Sequence, residues 1–309
     1  MQGSLVVGDQ EKVKAGDIPK RLFGKTGEML TVIGPGGARF RMVSWEEATA
    51  IVRRCYDLGI NYYDNSHNYW GGRSEEVYGA VLPPFRKEVF ITTKCDARTR
   101  EGAERELDAG LKSMKTDYVD LWQLHKVGNA EDDLEAIFAP GGAMEALVAA
   151  KKAGKCRFIG FTVHGDPNTV VELLQASNDW DATLIPLNPA DPAYLSFEQI
   201  ALPAVVERGM GIQVMKSLGN GKLLKWMTAR DCINYALSLP THCIALGFTS
   251  LDQVEGDVRI ARQHEPLAAG EMEQLRVRAA EAAGPDLEDW KKPLAILGAT
   301  RETPVHDDV

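Results

Sequence analysis

The chain of 309 residues has no apolar run near the roughly 20 residues that a bilayer-spanning helix needs. Its opening, MQGSLVVGDQEKVKAGD, lacks the basic start and long apolar core of a secretory signal. These two absences predict a cytoplasmic protein with no membrane partner. Cysteine is sparse and scattered: Cys55, Cys95, Cys156, Cys232 and Cys243 are odd in number and include no C-x-x-C pair. That pattern disfavours a disulfide framework, a structural zinc site and an iron–sulfur cluster, and reads as small apolar packing residues. Basic residues are in the minority, 35 Lys and Arg against 44 Asp and Glu, and no basic patch stands out, so no nucleic-acid partner is expected. No linker-like stretch divides the chain. The glycines of GPGGARF do not fit G-x-G-x-x-G, which disfavours an open dinucleotide-binding sheet.

What is present is a regular alternation. Eight short β-rich runs occur: LTVIG, INYYD, VFITTK, DLWQLH, CRFIGFT, ATLIPLN, GIQVMKS and CIALGF. Amphipathic stretches lie between them. In WEEATAIVRRCYDLG the residues Ala48, Ile51, Val52 and Cys55 recur at helical spacing, Ser44 reads as the N-cap and Gly59 as the stop. REGAERELDAGLKSM repeats the pattern, as does GGAMEALVAAKKAGK, which ends at Gly154. Eight strand–helix units predict a closed (β/α)8 TIM barrel. KRLFGKTGEMLTV predicts an N-terminal β-hairpin plugging the amino end, and two extra helices follow the eighth strand. The expected organisation is a flexible tail over residues 1–18, a single barrel domain over 19–300 and a flexible tail over 301–309.

Four polar residues stand at or just past the ends of three consecutive runs: Asp64 and Tyr69 in INYYDNSHNY, Lys94 in VFITTKC and His125 in DLWQLHK. In a barrel of parallel strands, such ends share one rim, where reactive groups gather. A free tyrosine titrates near pH 10 and is a poor acid at neutrality, but a nearby ammonium favours the phenolate and a carboxylate holds that ammonium in place. Each residue alone has a structural reading: a helix cap, a snorkelling lysine, a loop aromatic, a core histidine. Together they suit proton transfer to a carbonyl oxygen. Trp122, three residues before His125, alternates to the outer face of its strand and reads as core.

These residues carry a resemblance. RLFGKTGE, GINYYDNSHNYWGGRSEEVYG, VFITTKC, TDYVDLWQLH, GKCRFIGFT, LIPLN, GIQVMKSLG and GFTSLDQVEGD are similar to segments of aldo-keto reductases of the bacterial type, over roughly residues 19–265. The resemblance implies an oxidoreductase that reduces an aldehyde or ketone to an alcohol, or runs the reverse, with a nicotinamide cofactor. It implies Tyr69 as general acid, Lys94 and Asp64 as the groups that tune it, and His125 as the residue that positions the carbonyl. It places cofactor contacts at Thr162, Asn188, Lys216, Ser217, Leu218, Gly219, Phe248, Thr249, Ser250, Gln253 and Asp257. NADP(H) is the favoured cofactor and NAD(H) the alternative, because Gln253 stands where an arginine often holds the 2′-phosphate.

The chain departs from the family's pattern in the cofactor half. The usual Ser-Asn of the fifth strand is Thr162–Val163, followed by His164, and the usual sixth-strand Gln is Leu184. His67, Asn68 and Trp70 flank Tyr69 and are expected to line the mouth for a small carbonyl or alcohol substrate. A second function class also fits: a cofactor-binding regulatory subunit on the same fold, resembling the potassium-channel β subunits. No metal is expected, since no third ligand stands at metal spacing beside Asp64 and His125.

Overall fold

A computed structural model describes residues 17–128 and 133–291. The expected tails fall outside these residues except for Asp17 and Ile18, and Ile18 is buried in the core. The chain opens with an antiparallel hairpin of β1 (Lys20–Leu22) and β2 (Met29–Thr31). The barrel strands are β3 (Ile33–Pro35), β4 (Tyr62–Asp64), β5 (Phe90–Cys95), β6 (Val119–Val127), β7 (Cys156–Val163), β8 (Ala182–Pro186), β9 (Gly211–Met215) and β10 (Cys243–Leu246). They lie parallel in the order β3-β10-β9-β8-β7-β6-β5-β4. A parallel bridge between Gly36 and Asp64 joins the two outer strands, so the sheet curls into the expected (β/α)8 barrel. Only glycine fits at the seam: a Cβ on Gly34 would lie 2.0 Å from the Tyr62 carbonyl oxygen.

Helices return the chain between strands: α1 (Trp45–Asp57), α2 (Arg73–Val81), α3 (Arg100–Met114), α4 (Asp133–Phe138), α5 (Ala143–Lys152), α6 (Pro167–Ala176), α7 (Ala201–Glu207) and α8 (Ala229–Ser238). After β10 come the two extra helices, α9 (Leu251–Arg262) and α10 (Ala269–Ala280). Local chemistry sets their ends. Ser44 and Glu47 form a reciprocal capping box at α1, with Glu47 N donating to Ser44 Oγ at 3.1 Å and Ser44 N to Glu47 Oε2 at 2.8 Å. Gly59 beyond its end has φ +91°, a conformation that glycine adopts at no steric cost.

The core has two layers. Trp122, Tyr63 and Tyr78 pack between the strands and the helices, so Trp122 is core as its place in β6 implies. Inside the barrel, Phe23, Leu30, Tyr62, Phe90, Leu121, Ala182 and Cys243 fill the amino end. Phe23 comes from the hairpin, is fully buried, and meets Phe90 and His242 edge to face at 5.6 and 5.7 Å. The hairpin therefore plugs that end. Above it lies a polar tier: Tyr62 Oη donates to Gln213 Oε1 at 2.7 Å, and Gln213 Nε2 to Gln123 Oε1 at 2.9 Å. The opposite rim stays open. All five cysteines are free and buried.

Candidate active site

Strand alternation turns Asp64, Lys94 and His125 to the barrel interior at the open rim. The Lys94 ammonium donates to both Asp64 oxygens, at 2.7 and 2.8 Å, and to the Asn65 carbonyl at 2.6 Å. Thr92 Oγ1 donates to Asp64 Oδ1 at 2.7 Å. The pair is sealed from solvent, with side-chain exposure of 0% for Lys94 and 4% for Asp64. Burial pulls the Lys94 ammonium below its ordinary range, and the Asp64 carboxylate opposes this.

Tyr69 enters from the loop after β4. Three consecutive residues behind it adopt left-handed backbone: Trp70 at φ 53°, Gly71 at 61° and Gly72 at 89°. Two glycines make that turn accessible, and Trp70 carries the strain, which for a bulky residue costs about 1–2 kcal/mol. The turn brings the Tyr69 ring over the buried pair, with Lys94 Nζ 5.0 Å from its centroid. The His125 ring stands edge to face with it at 5.6 Å.

The register of β6 on β7 shifts between Leu124 and Val127, and Lys126 takes φ 52°. Such a bulge re-aims a side chain at a strand end. Here it leaves His125 buried, with Nδ1 3.1 Å from Asp96 Oδ1 and 3.3 Å from Ser66 Oγ. A carboxylate only accepts, so Asp96 selects the tautomer with hydrogen on Nδ1 and leaves Nε2 bare. Nε2 is buried and has no partner among the described residues. Burial pushes the His125 imidazole down to about 4, against the pull of Asp96. His164, just past the end of β7, faces His125 at 5.8 Å, and both its ring nitrogens are buried without a partner among the described residues.

A cleft of about 300 Å³ runs from this cluster to the start of α9. Asp64, Tyr69 and His164 line one end, and Thr249, Gln253 and Asp257 line the other. Of the expected cofactor positions, Lys216, Ser217, Leu218, Thr249, Gln253 and Asp257 line it. The remaining five do not. Thr162 Oγ1 accepts from Lys126 N at 2.8 Å; Asn188 Nδ2 donates to Glu288 Oε1 at 3.0 Å; Phe248 is buried in the core; and Ser250 Oγ caps α9 through Gln253 N at 3.2 Å. Gly219, at φ +57°, turns the chain against Leu223. The mouth residues also sit apart from the cleft: His67 faces Glu75 at 3.7 Å, Asn68 accepts from Ser66 Oγ at 2.9 Å, and Trp70 stacks on the Arg73 guanidinium at 4.5 Å.

Arg39 was not marked by the sequence pattern. Its side chain lies across Gly247, where a Cβ would fall 2.3 Å from Arg39 Cγ, and it reaches Asn220 O at 3.4 Å over the cleft. Among the described residues no carboxylate pairs with it. Asp96 was missed as well, although a carboxylate two residues past Lys94 at a strand end was a readable signal.

These features fit a nicotinamide dinucleotide. The cleft is long, its inner end carries orphaned buried imidazole nitrogens, and Arg39 and Lys216 supply positive charge along it. The first turn of α9, opened by Ser250, adds backbone N–H groups beside Thr249.

A family model described as "Aldo/keto reductase family" matches residues 32–265. L-galactose dehydrogenase of Arabidopsis thaliana is 35% identical over 159 residues, which cover 47% of this chain and 48% of that protein. L-glyceraldehyde 3-phosphate reductase of Escherichia coli K12 is 30% identical over 199 residues, 58% of this chain and 54% of that one. The chain thus spans about half the length of these curated relatives. Among solved structures, aldo-keto reductase AKR11C1 from Bacillus halodurans (holo form) superposes with a TM-score of 0.73 at 23% identity, over 87% of this chain and 99% of that one, a likeness of fold.

Proposed function

Since the chain belongs to the aldo/keto reductase family, we propose that it interconverts a small carbonyl compound and its alcohol, with NADP(H) as the favoured cofactor. The observation that carries this reading is the sealed Asp64–Lys94 pair under Tyr69. A lysine buried on a carboxylate beside a phenol has little structural reason to be there, since an apolar pair of equal volume would fill the space at no desolvation cost. A pure binding module has no need of it.

The bound nicotinamide would supply hydride chemistry at the inner end of the cleft. Tyr69 gives its proton to the substrate oxygen as charge develops there. Lys94 stabilises the phenolate left behind, and Asp64 holds Lys94 in place. His125, anchored at Nδ1 by Asp96, offers Nε2 as an acceptor, which suits the hydroxyl hydrogen of the alcohol. Arg39 and Lys216 would meet cofactor phosphates, with Arg39 supporting the 2′-phosphate preference that Gln253 does not. Asp257, pushed up to about 6 by burial on the far wall, is the group that would favour NAD(H) instead.

The test is turnover of a carbonyl panel with NADPH and with NADH, for the wild type and Tyr69→Phe. The variant should lose at least about 100-fold in kcat, the scale of one general acid, while binding cofactor normally. Near-normal activity in the variant would remove Tyr69 from the reaction. A strong NADH preference would transfer the assignment to NAD(H).

A further inference from the structure

We infer that Arg98 is a positioning residue for the reaction: its guanidinium braces Asp96 against His125 and so decides which imidazole nitrogen carries hydrogen at the substrate face. The inference deepens the carbonyl-reductase reading above and rests on it for the effect on turnover.

The pairing of β5 with β6 runs as far as Cys95 opposite Leu124. Asp96 and His125 come next in that register and stand one step past its end. Arg98 spans this step. Its Nη1 donates to the Asp96 carbonyl at 2.9 Å and its Nη2 to the His125 carbonyl at 2.8 Å. The other edge of the guanidinium, Nε and Nη2, is held by the two carboxylate oxygens of Asp133, the first residue of α4. The Asp133 side chain is buried and also accepts from Gly128 N at 2.7 Å. One planar fork therefore ties the loop after β5, the end of β6 and the start of α4 together. A lysine ammonium, a point charge without two planar edges, could not make the same set of bonds.

The brace matters because the Asp96 carboxylate has a rival. Asp96 lies on a loop with its side chain 38% exposed, and reaches His125 Nδ1 at 3.1 Å. Ser66 Oγ stands 3.3 Å from the same nitrogen. With Asp96 in place, Nδ1 carries the hydrogen, and the Ser66 hydroxyl gives its own to Asn68 Oδ1 at 2.9 Å. With Asp96 displaced, the Ser66 hydroxyl can turn its hydrogen to Nδ1, and the imidazole hydrogen moves to Nε2. The nitrogen facing the substrate then changes from acceptor to donor. Glu106 accepts from Asp96 N at 2.7 Å and anchors this loop to α3, its own helix. Arg98 supplies the tie to β6, the strand that carries His125.

The test uses Arg98→Met, Arg98→Lys, Asp96→Asn and the double variant Arg98→Met/Asp96→Asn. NMR of isotope-labelled histidine at neutral pH reads which nitrogen of His125 carries hydrogen, with His125→Asn for assignment. Oxidation of benzyl alcohol, butanol and glycerol with NADP+ and NAD+ reads kcat/KM. Arg98→Met should move the hydrogen from Nδ1 to Nε2 and lower kcat/KM by about 10- to 100-fold, the scale of a misplaced reacting group, with cofactor affinity unchanged within about twofold. Arg98→Lys, which keeps a cation beside Asp133 without the fork, should fall between Arg98→Met and wild type in both readouts. The double variant should be no slower than Asp96→Asn alone, because Arg98 acts through Asp96. Hydrogen retained on Nδ1 in Arg98→Met would overturn the inference and leave the reductase reading intact, as would losses that add in the double variant. Should Arg98→Met fail to fold, Arg98→Lys with hydrogen retained on Nδ1 and wild-type kcat/KM would overturn it equally. A wild type that oxidises none of these alcohols and reduces none of their aldehydes would overturn the reductase reading, while the NMR comparison would still decide the role of Arg98.

Discussion

Replacing Lys94 with Met separates what the buried pair does for folding from what it does for the reaction. Lys94 gives three hydrogen bonds, two to Asp64 and one to the Asn65 carbonyl. Lys94→Met removes all three and leaves the Asp64 carboxylate inside the barrel without its ammonium partner, the Thr92 hydroxyl still donating to it. Breaking a buried pair from one side costs about 3–5 kcal/mol, because the stranded charge keeps its desolvation penalty. Set against an ordinary total stability of roughly 5–15 kcal/mol, that is a large fraction, and it corresponds to a fall in Tm on the order of 10 °C. Removing both charges has a different outcome. The double variant Asp64→Asn/Lys94→Met strands no ion, so it should recover to within about 1–2 kcal/mol of the wild type. Its turnover should stay as low as that of the single variant, since Tyr69 has lost the ammonium that supports its phenolate. Urea unfolding followed by tryptophan fluorescence measures the first quantity and steady-state kinetics the second. A single variant destabilised by less than about 1 kcal/mol, or a double variant in which the two losses simply add, would refute the reasoning.

Two further outcomes follow from the plugged end of the barrel. Phe23→Ala empties a fully buried ring site and should cost about 3–5 kcal/mol, lowering Tm while leaving kcat at 25 °C unchanged, because the reactive rim is at the other end; a fall in kcat with Tm preserved would contradict this. His242 is pushed down to about 4 by burial and the nearby Arg21 cation, and its Nδ1 accepts from Ile212 N at 2.9 Å. An unfolded histidine titrates near 6.5, so this site contributes full stability above that pH and loses up to about 3 kcal/mol as pH falls from 6.5 towards 4. Urea midpoints at pH 7 and 4.5 check it: His242→Gln should flatten the decline, and an unchanged slope would exclude His242 as its source.

Much of the architecture was legible because it is written in local patterns. Short β-rich runs alternating with helical patterns marked all eight barrel strands, and α3 begins and ends with the segment REGAERELDAGLKSM. The four rim residues were legible for the same reason, each lying at or just past a strand end. One boundary was blurred: LTVIG reads as a single run, but the hairpin strand stops at Thr31 and the barrel strand starts at Ile33. Both are apolar, so periodicity carries no mark of the change of partner. The cofactor half was harder because its contacts are set by distant pairings. Asn188 looked like a cleft residue, yet it bonds Glu288, 100 positions away, in a buried cluster where Lys291 also grips Asp191 at 2.6 Å. Arg39 gains its place from Gly247 across the barrel seam. The left-handed turn behind Tyr69 and the bulge at Lys126 depend on backbone torsions that residue type alone suggests only at the two glycines.

The closure of the barrel has a consequence for how the chain acquires its site in time. Asp64 and Lys94 belong to neighbouring strands paired over 28 positions, Tyr62 with Phe90, so their pairing needs only a short loop to close. The α9 end of the cleft requires β10 to meet β3, Ile244 with Ile33, a separation of 211 positions. Closing that longer loop costs about 2 kcal/mol more in chain entropy. Contacts of such long range set slow folding rates. During synthesis the proton-transfer half can therefore assemble while most of the chain is still to be made. The edge of β3 waits unpaired until β10 has emerged, which makes it the segment most exposed to misassembly on the way to the native state.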